Sequence, residues 1–262
     1  MDKKTLSRDG TPIAYGRSGQ GPAVILVSGA MSTGATVAPL AALLASRFTV
    51  VRYDRRGRGE SGDTAPYAVE REVEDLAALI DVVGGEAALY GMSSGGALVL
   101  EATASGLPVR QAAVYETPFA DFSESGAEER ARYTADLTEA LDQGRRGDAV
   151  ELFLRLTGMA EAMIQGARQS PMWAGMEAIA PTLAYDDAVM GGGLVPRERL
   201  ASITVPVLAV AGSASPAWLR QAVKAVADAV PQGTYRTLED QTHMVDPNVL
   251  APVLAGFFTQ GR

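Results

Sequence analysis

The run Leu89-Tyr90-Gly91-Met92-Ser93-Ser94-Gly95-Gly96-Ala97-Leu98 sets a serine between two glycines at a spacing suited to nucleophilic catalysis. A strand-like apolar stretch leads into it and a helix-like stretch leaves it. A sharp strand-to-helix turn has no room for a Cβ at Gly91 or Gly95, and it presents the Ser93 hydroxyl exposed on a strained backbone. A serine hydroxyl is a poor nucleophile near neutral pH and needs an adjacent base to take its proton. The chain holds a single histidine, His243, in Glu239-Asp240-Gln241-Thr242-His243-Met244-Val245-Asp246-Pro247. An imidazole can take up a proton near neutral pH, which makes it the candidate base. Acyl transfer is the chemistry that these two groups can do together.

A tetrahedral intermediate carries negative charge and needs hydrogen-bond donors aimed at it. The helix starting after Ser93 directs its N-terminal dipole and the Ser94 N–H at such a charge. A second donor is expected from the turn Val27-Ser28-Gly29-Ala30-Met31, where the Ala30 N–H is the first candidate and Met31 the second.

These groups need a frame to hold them. Ala23 to Val27, Phe48 to Val51 and Val207 to Val210 have the length and β-branched content of buried parallel strands. Ala87 to Tyr90 and Val109 to Tyr115 are weaker candidates, Thr234 to Leu238 would be the last strand, and Thr5 to Tyr15 reads as a hairpin about Asp9-Gly10. Helices are expected at Gly95 to Ala104, Ala217 to Ala229 and Val249 to Phe258. Another is expected about Val69, Val73, Leu76 and Ile80, with Glu70, Glu72, Glu74 and Asp75 on a solvated face. Alternating strands and helices predict an α/β fold, a mostly parallel central sheet covered on both faces. The alternation stops at Thr117 and resumes near residue 201. Residues 1–116 and 201–262 are therefore read as the core, and 117–200 as a helical cap insertion within the same domain, rejoining at Gly191-Gly192-Gly193. Met159, Met163, Met172, Trp173 and Met176 of the insertion are either ordinary core or, as a set, the lining of an adaptable apolar pocket. With Met31 and Phe119, three of them (Met159, Met163 and Trp173) are the expected substrate contacts.

Composition narrows the function. With 47% apolar and 21% charged residues in 262, the chain has the makings of one large folded domain. A net charge of −8 repels polyanions, so neither nucleic acid nor an anionic membrane is the expected partner. The absence of cysteine and the single histidine exclude disulfides, a thiolate nucleophile and a Cys- or His-rich metal site. No metal or organic cofactor is expected. Met1-Asp2-Lys3-Lys4-Thr5 does not open a secretory signal and no apolar run is long enough to cross a bilayer, so the cytoplasm is the expected compartment. No heptad repeat or evident interface patch points to an oligomeric state.

At Gly91 to Gly96 and at Tyr53-Asp54-Arg55-Arg56-Gly57-Arg58-Gly59-Glu60-Ser61 the chain resembles the α/β-hydrolase superfamily, and within it small bacterial serine esterases and cofactor-free haloperoxidase-like hydrolases. The resemblance runs over nearly the whole chain. It implies the α/β-hydrolase fold, the order nucleophile, acid, histidine, and a structural role for the arginine-rich turn in place of phosphate binding. Ser28 stands where the family usually has a histidine. After the strand Val207 to Val210, where the family usually has its aspartate, the chain reads Ala211-Gly212-Ser213-Ala214-Ser215-Pro216 without a carboxylate. Some superfamily members carry the acid after the strand that follows the nucleophile helix, and here that position is Glu116. Asp186 is the alternative acid, and Asp246 lies too near His243 along the chain. A serine nucleophile disfavours dehalogenation and epoxide hydrolysis, which use an aspartate in related families.

The expected activity is cleavage of a carboxylic ester or related acyl compound, a small-molecule substrate, through an acyl-enzyme. Two alternatives stay open: a non-hydrolytic cyclase, isomerase or lyase working in the same pocket, and a non-catalytic ligand-binding module.

Overall fold

A computed structural model describes residues 1–119 and 124–260. Eight strands form one sheet: β1 (Lys3–Leu6), β2 (Pro12–Ser18), β3 (Ala23–Val27), β4 (Thr49–Tyr53), β5 (Ala87–Met92), β6 (Val109–Tyr115), β7 (Val207–Gly212) and β8 (Gly233–Leu238), in the spatial order β1-β2-β4-β3-β5-β6-β7-β8. The first two are antiparallel to each other, and β2 is antiparallel to β4; the remaining pairs are parallel. Every residue of β3 and of β7 is buried, as strands covered on both faces must be.

Successive residues of a strand face opposite sides, so two apolar layers follow from each run. In β5, Ala87 and Leu89 join one core cluster while Ala88 and Tyr90 join the other. Helices α2 (Val69–Val82), α3 (Ser94–Ala104) and α10 (Ala217–Ala229) close the first face through residues such as Leu76, Leu98 and Val223. The second face is closed by α1 (Ala38–Leu44) and α11 (Pro247–Thr259), with Leu40, Leu44, Leu250 and Leu254. Between β6 and β7 the described residues are helices and turns: α4 (Glu124–Asp142), α5 (Arg146–Leu156), α6 (Glu161–Arg168), α7 (Trp173–Ile179), α8 (Leu183–Met190) and α9 (Arg197–Leu200). They enclose an apolar cluster of their own, including Tyr133, Leu137, Val150, Ile164, Trp173 and Leu183. Of the inserted stretch, residues 120–123 lie outside the described residues.

The parallel register matters most for chemistry. Met92 lies opposite Tyr115, Tyr115 opposite Val210, and Val210 opposite Arg236. The strand ends are thus level, and the residues that follow them, Ser93 and Glu116, emerge on one edge together with the loop after β8 that carries His243. Among the described residues no helix is long and apolar enough to cross a membrane.

Helix α2 differs from its sequence expectation on one side. Glu72 and Asp75 are not on a solvated face; both are buried, against Arg55 and Arg56 respectively. A helix seen alone offers acidic residues to water, but a turn bearing three arginines packs on this one and claims two of its carboxylates.

Candidate active site

Ser93 joins β5 to α3 with φ 55° and ψ −128°, a region that costs a non-glycine residue on the order of 1–3 kcal/mol. The strain is held by close packing on each side. A Cβ on Gly91 would collide with the Gly95 carbonyl, and one on Gly95 would lie 2.5 Å from the Ser28 carbonyl oxygen. The Ser93 N–H donates to the Tyr115 carbonyl at 2.9 Å, tying the turn to β6, and the Ser93 carbonyl accepts from the Gly96 N–H at 2.9 Å inside α3.

Glu116 follows β6 with φ 45° and is fully buried. One carboxylate oxygen accepts from the Gly212 N–H at 2.8 Å, and the other lies 2.9 Å from His243 Nδ1. Gly212 ends β7, so the side chain crosses from one strand to its neighbour and delivers a carboxylate to the strand end that itself has none. The structure brings Glu116 and His243 together. A carboxylate on Nδ1 selects the tautomer with a proton there, which leaves Nε2 free to accept one and leaves a negative charge facing the imidazolium that results. The histidine loop is anchored from β6 as well: the Tyr115 hydroxyl donates to the Thr242 carbonyl at 2.6 Å. Asp246 has a different occupation, accepting from the Asn248 N–H at 2.8 Å as the N-cap of α11.

Asp186 of α8 is not at the histidine. Its side chain is buried, one oxygen accepting from Arg55 Nη1 at 2.8 Å and Ser94 Oγ at 2.7 Å, and the other from Arg58 Nη2 at 2.7 Å. Burial alone would raise its pKa, but Arg58 and Arg55 outweigh that and hold it below the usual aspartate range. Glu72 completes the cluster, taking two hydrogen bonds of 2.7 Å from Arg55 and one of 2.9 Å from the Tyr67 hydroxyl; Arg55 overcomes its burial and lowers its pKa too. The arginines of the turn after β4 therefore meet carboxylates of the same chain, as the structural reading of that segment expects.

The oxyanion candidates lie beside the serine. A Cβ built on Gly29 would be 3.0 Å from Ser93 Cβ and 3.6 Å from its Oγ, so the Gly29–Ala30 peptide borders the Ser93 side chain. Ser94 is the first residue of α3, and its N–H has no acceptor within the helix. Met31 carries φ 53° and, with Ala30 and Met159, packs half-buried on the cap cluster. Of the other expected substrate contacts, Phe119 is buried in the first core cluster, Trp173 in the helical cluster between β6 and β7, and Met163 is 64% exposed on α6. Sequence spacing marks such residues as apolar and does not separate a core face from a pocket wall. What sequence reasoning missed is the company of Ser94: its hydroxyl, Arg55, Arg58 and Asp186 form one hydrogen-bonded group. The local sign was the arginines at 55 and 58; the carboxylate that they share with Ser94 is Asp186 on α8, far along the chain.

The model of the Alpha/beta hydrolase family matches residues 24–253. Among curated proteins the chain is similar to 3-oxoadipate enol-lactonase 1 of Acinetobacter baylyi (strain ATCC 33305 / BD413 / ADP1), 30% identical over 190 residues that make up 68% of this chain and 65% of that protein. Among solved structures it is similar to an alpha/beta hydrolase from Sphaerobacter thermophilus DSM 20745, with 52% identity, a TM-score of 0.88, and 98% of this chain and 100% of that chain covered. A thermophilic esterase from Thermogutta terrifontis shares the fold at 22% identity and a TM-score of 0.74, with 98% of each chain covered. With a level parallel strand edge, a strained serine turn and a family match spanning most of its length, the chain belongs to the alpha/beta hydrolase family.

Proposed function

We propose that the protein hydrolyses a carboxylic ester of a small molecule through an acyl-enzyme, with Ser93 as nucleophile, His243 as base and Glu116 as the acid that orients it. The observation that carries this reading is the buried Glu116 carboxylate shared between His243 Nδ1 and the Gly212 N–H, on the same strand edge as Ser93. Ser93 Oγ attacks the acyl carbon while His243 Nε2 takes its proton. The carbonyl electron pair moves to the oxygen, which accepts from the Ala30 and Ser94 N–H groups. Collapse expels the alcohol, protonated by His243, and leaves the acyl group on Ser93. Water, deprotonated by the same ring, repeats the sequence and releases the acid. The residues named supply nucleophile, base and oxyanion donors, so each step balances on the chain's own groups. The activities of two similar proteins, an enol-lactonase and an esterase, fit the same bond class, a lactone being a cyclic ester. The substrate we infer is accordingly an open or cyclic ester.

A fluorophosphonate is expected to label Ser93 stoichiometrically, and Ser93→Ala to lose on the order of 10⁵-fold or more in kcat on an activated ester. Hydrolysis in ¹⁸O-labelled water is expected to place the isotope in the acid product. Unlabelled product would favour the non-hydrolytic alternative, and turnover surviving in Ser93→Ala would remove the serine from the mechanism.

A further inference from the structure

The arginine-rich turn after β4 lies closer to the chemistry than a structural turn needs to. Arg58 is 1% exposed, and its Nη1 donates to the Gly29 carbonyl at 2.6 Å, with a longer contact of 3.4 Å to the Ser32 carbonyl. Arg55 Nη1 reaches the preceding carbonyl, of Ser28, at 3.4 Å. The Gly29 carbonyl and the Ala30 N–H belong to one peptide unit. In a planar trans peptide the two point in opposite directions. A guanidinium gripping the carbonyl therefore aims the N–H away from itself, and it draws electron density from the amide, which strengthens that N–H as a donor. Among the described residues the Ala30 N–H has no protein acceptor. The other oxyanion candidate is held by the same logic from the opposite side: the Ser93 carbonyl, sharing a peptide with the Ser94 N–H, is fixed inside α3.

Asp186 joins the two halves. One oxygen holds Arg58, and the other takes the Ser94 hydroxyl, so one carboxylate on cap helix α8 is bonded both to the residue that aims the Ala30 N–H and to the residue that supplies the second N–H. The charges close: Arg55 and Arg58 against Glu72 and Asp186, all buried.

We infer that Arg58, held in place by Asp186, is a positioning residue that sets the Gly29–Ala30 peptide as one wall of the oxyanion hole and ties that hole to the cap. The inference rests on the ester-hydrolase reading above. Its test compares an activated oxygen ester with the matching thionoester, in which C=S replaces C=O. Sulfur is a larger and weaker hydrogen-bond acceptor, so oxyanion donors favour the oxygen substrate, and damage to them lowers the ratio of the two kcat/KM values.

Arg58→Lys is expected to lower kcat on the oxygen ester ten- to a hundredfold with KM within about twofold, and to lower the oxygen-to-sulfur ratio by a similar factor; removal of a whole donor costs about 10²–10³. Should Arg58→Lys fail to fold, Asp186→Asn, which keeps volume and loses charge, is measured in the same way and is expected to lower the ratio at least fivefold. Equal losses on both substrates, or no loss, in a folded variant overturn the inference and leave the hydrolase reading intact. A wild-type protein with no Ser93-dependent ester turnover overturns both.

Discussion

Two buried carboxylates lie close to the serine turn, and the difference between them explains the site. Glu116 accepts from a backbone N–H and an imidazole, with no cation among its hydrogen-bond partners. In the proposed mechanism it faces an imidazolium each time His243 takes the serine proton. Asp186 meets two guanidiniums and a hydroxyl, and its charge is already matched in the resting protein. In the proposed mechanism the first carboxylate responds to a proton transfer and the second holds geometry. A carboxylate's role here is therefore read from whether its partner's charge is fixed or changes during the reaction.

The sharpest break of that contrast is to neutralise each carboxylate in turn. Glu116→Gln keeps the shape but can donate to Nδ1 and favour the wrong tautomer, so kcat is expected to fall by on the order of 10⁴. Asp186→Asn is expected to lose ten- to a hundredfold in kcat through the oxyanion peptide. Steady-state kinetics on one activated ester decides the matter. A larger loss in Asp186→Asn than in Glu116→Gln would reverse the roles.

The sequence carried one half of this contrast better than the other. The fold was legible because parallel strands are short apolar runs, and β3, β6 and α10 have the bounds expected of them to the residue. Ser93 was marked as a candidate by the glycines and the strand-to-helix setting around it, and His243 by being the single histidine of the chain. Glu116 needed a resemblance to be chosen, since nothing local says that its side chain spans to Gly212 on the next strand. The charge cluster was hidden for a related reason. Glu72 and Asp75 look like a wet helix face until the turn bearing Arg55 and Arg56 is laid upon them, and the partner of Arg58 is 128 residues further along the chain. Helix α1, short and rich in alanine and leucine, was missed because seven residues give too little periodicity to separate it from a loop.

The second prediction concerns stability under acid. Asp186 and Glu72 have folded-state pKa values lowered by Arg55 and Arg58. For carboxylates depressed in this way, the stabilisation is full above the unfolded pKa, about 4, and is lost as pH falls through the lower folded value. The melting temperature is expected to fall steeply below about pH 4. Removing one charge from the cluster by Asp186→Asn should cost about 3–5 kcal/mol at neutral pH, because a guanidinium is left buried without its partner. It should also flatten the acid limb, since one of the groups that must protonate is gone. Thermal melts of both proteins between pH 3 and pH 7 (roughly the range set by these pKa values) read both effects. Parallel acid limbs would mean that other carboxylates govern the transition, and that the cluster does not act as a charge-balanced unit.

The smallest expected effect tests where the cap meets the substrate. Met31 and Met159 are half-buried on the cap cluster that also holds Ala30, whereas Met163 projects from α6 with 64% of its surface exposed. An exposed side chain that contributes to no core is worth little to stability, so Met163→Ser is expected to shift unfolding free energy by less than about 0.5 kcal/mol. It should leave KM for a bulky acyl ester within twofold. Met159→Ser removes a half-buried side chain packed on the apolar cluster that Ala30 and Met31 also pack against, and should raise that KM severalfold while the melting temperature falls. The pair separates a methionine used as a wall from one that merely faces water. A KM rise in Met163→Ser as large as that in Met159→Ser would place α6 over the bound acyl chain and enlarge the part of the cap that reads the substrate.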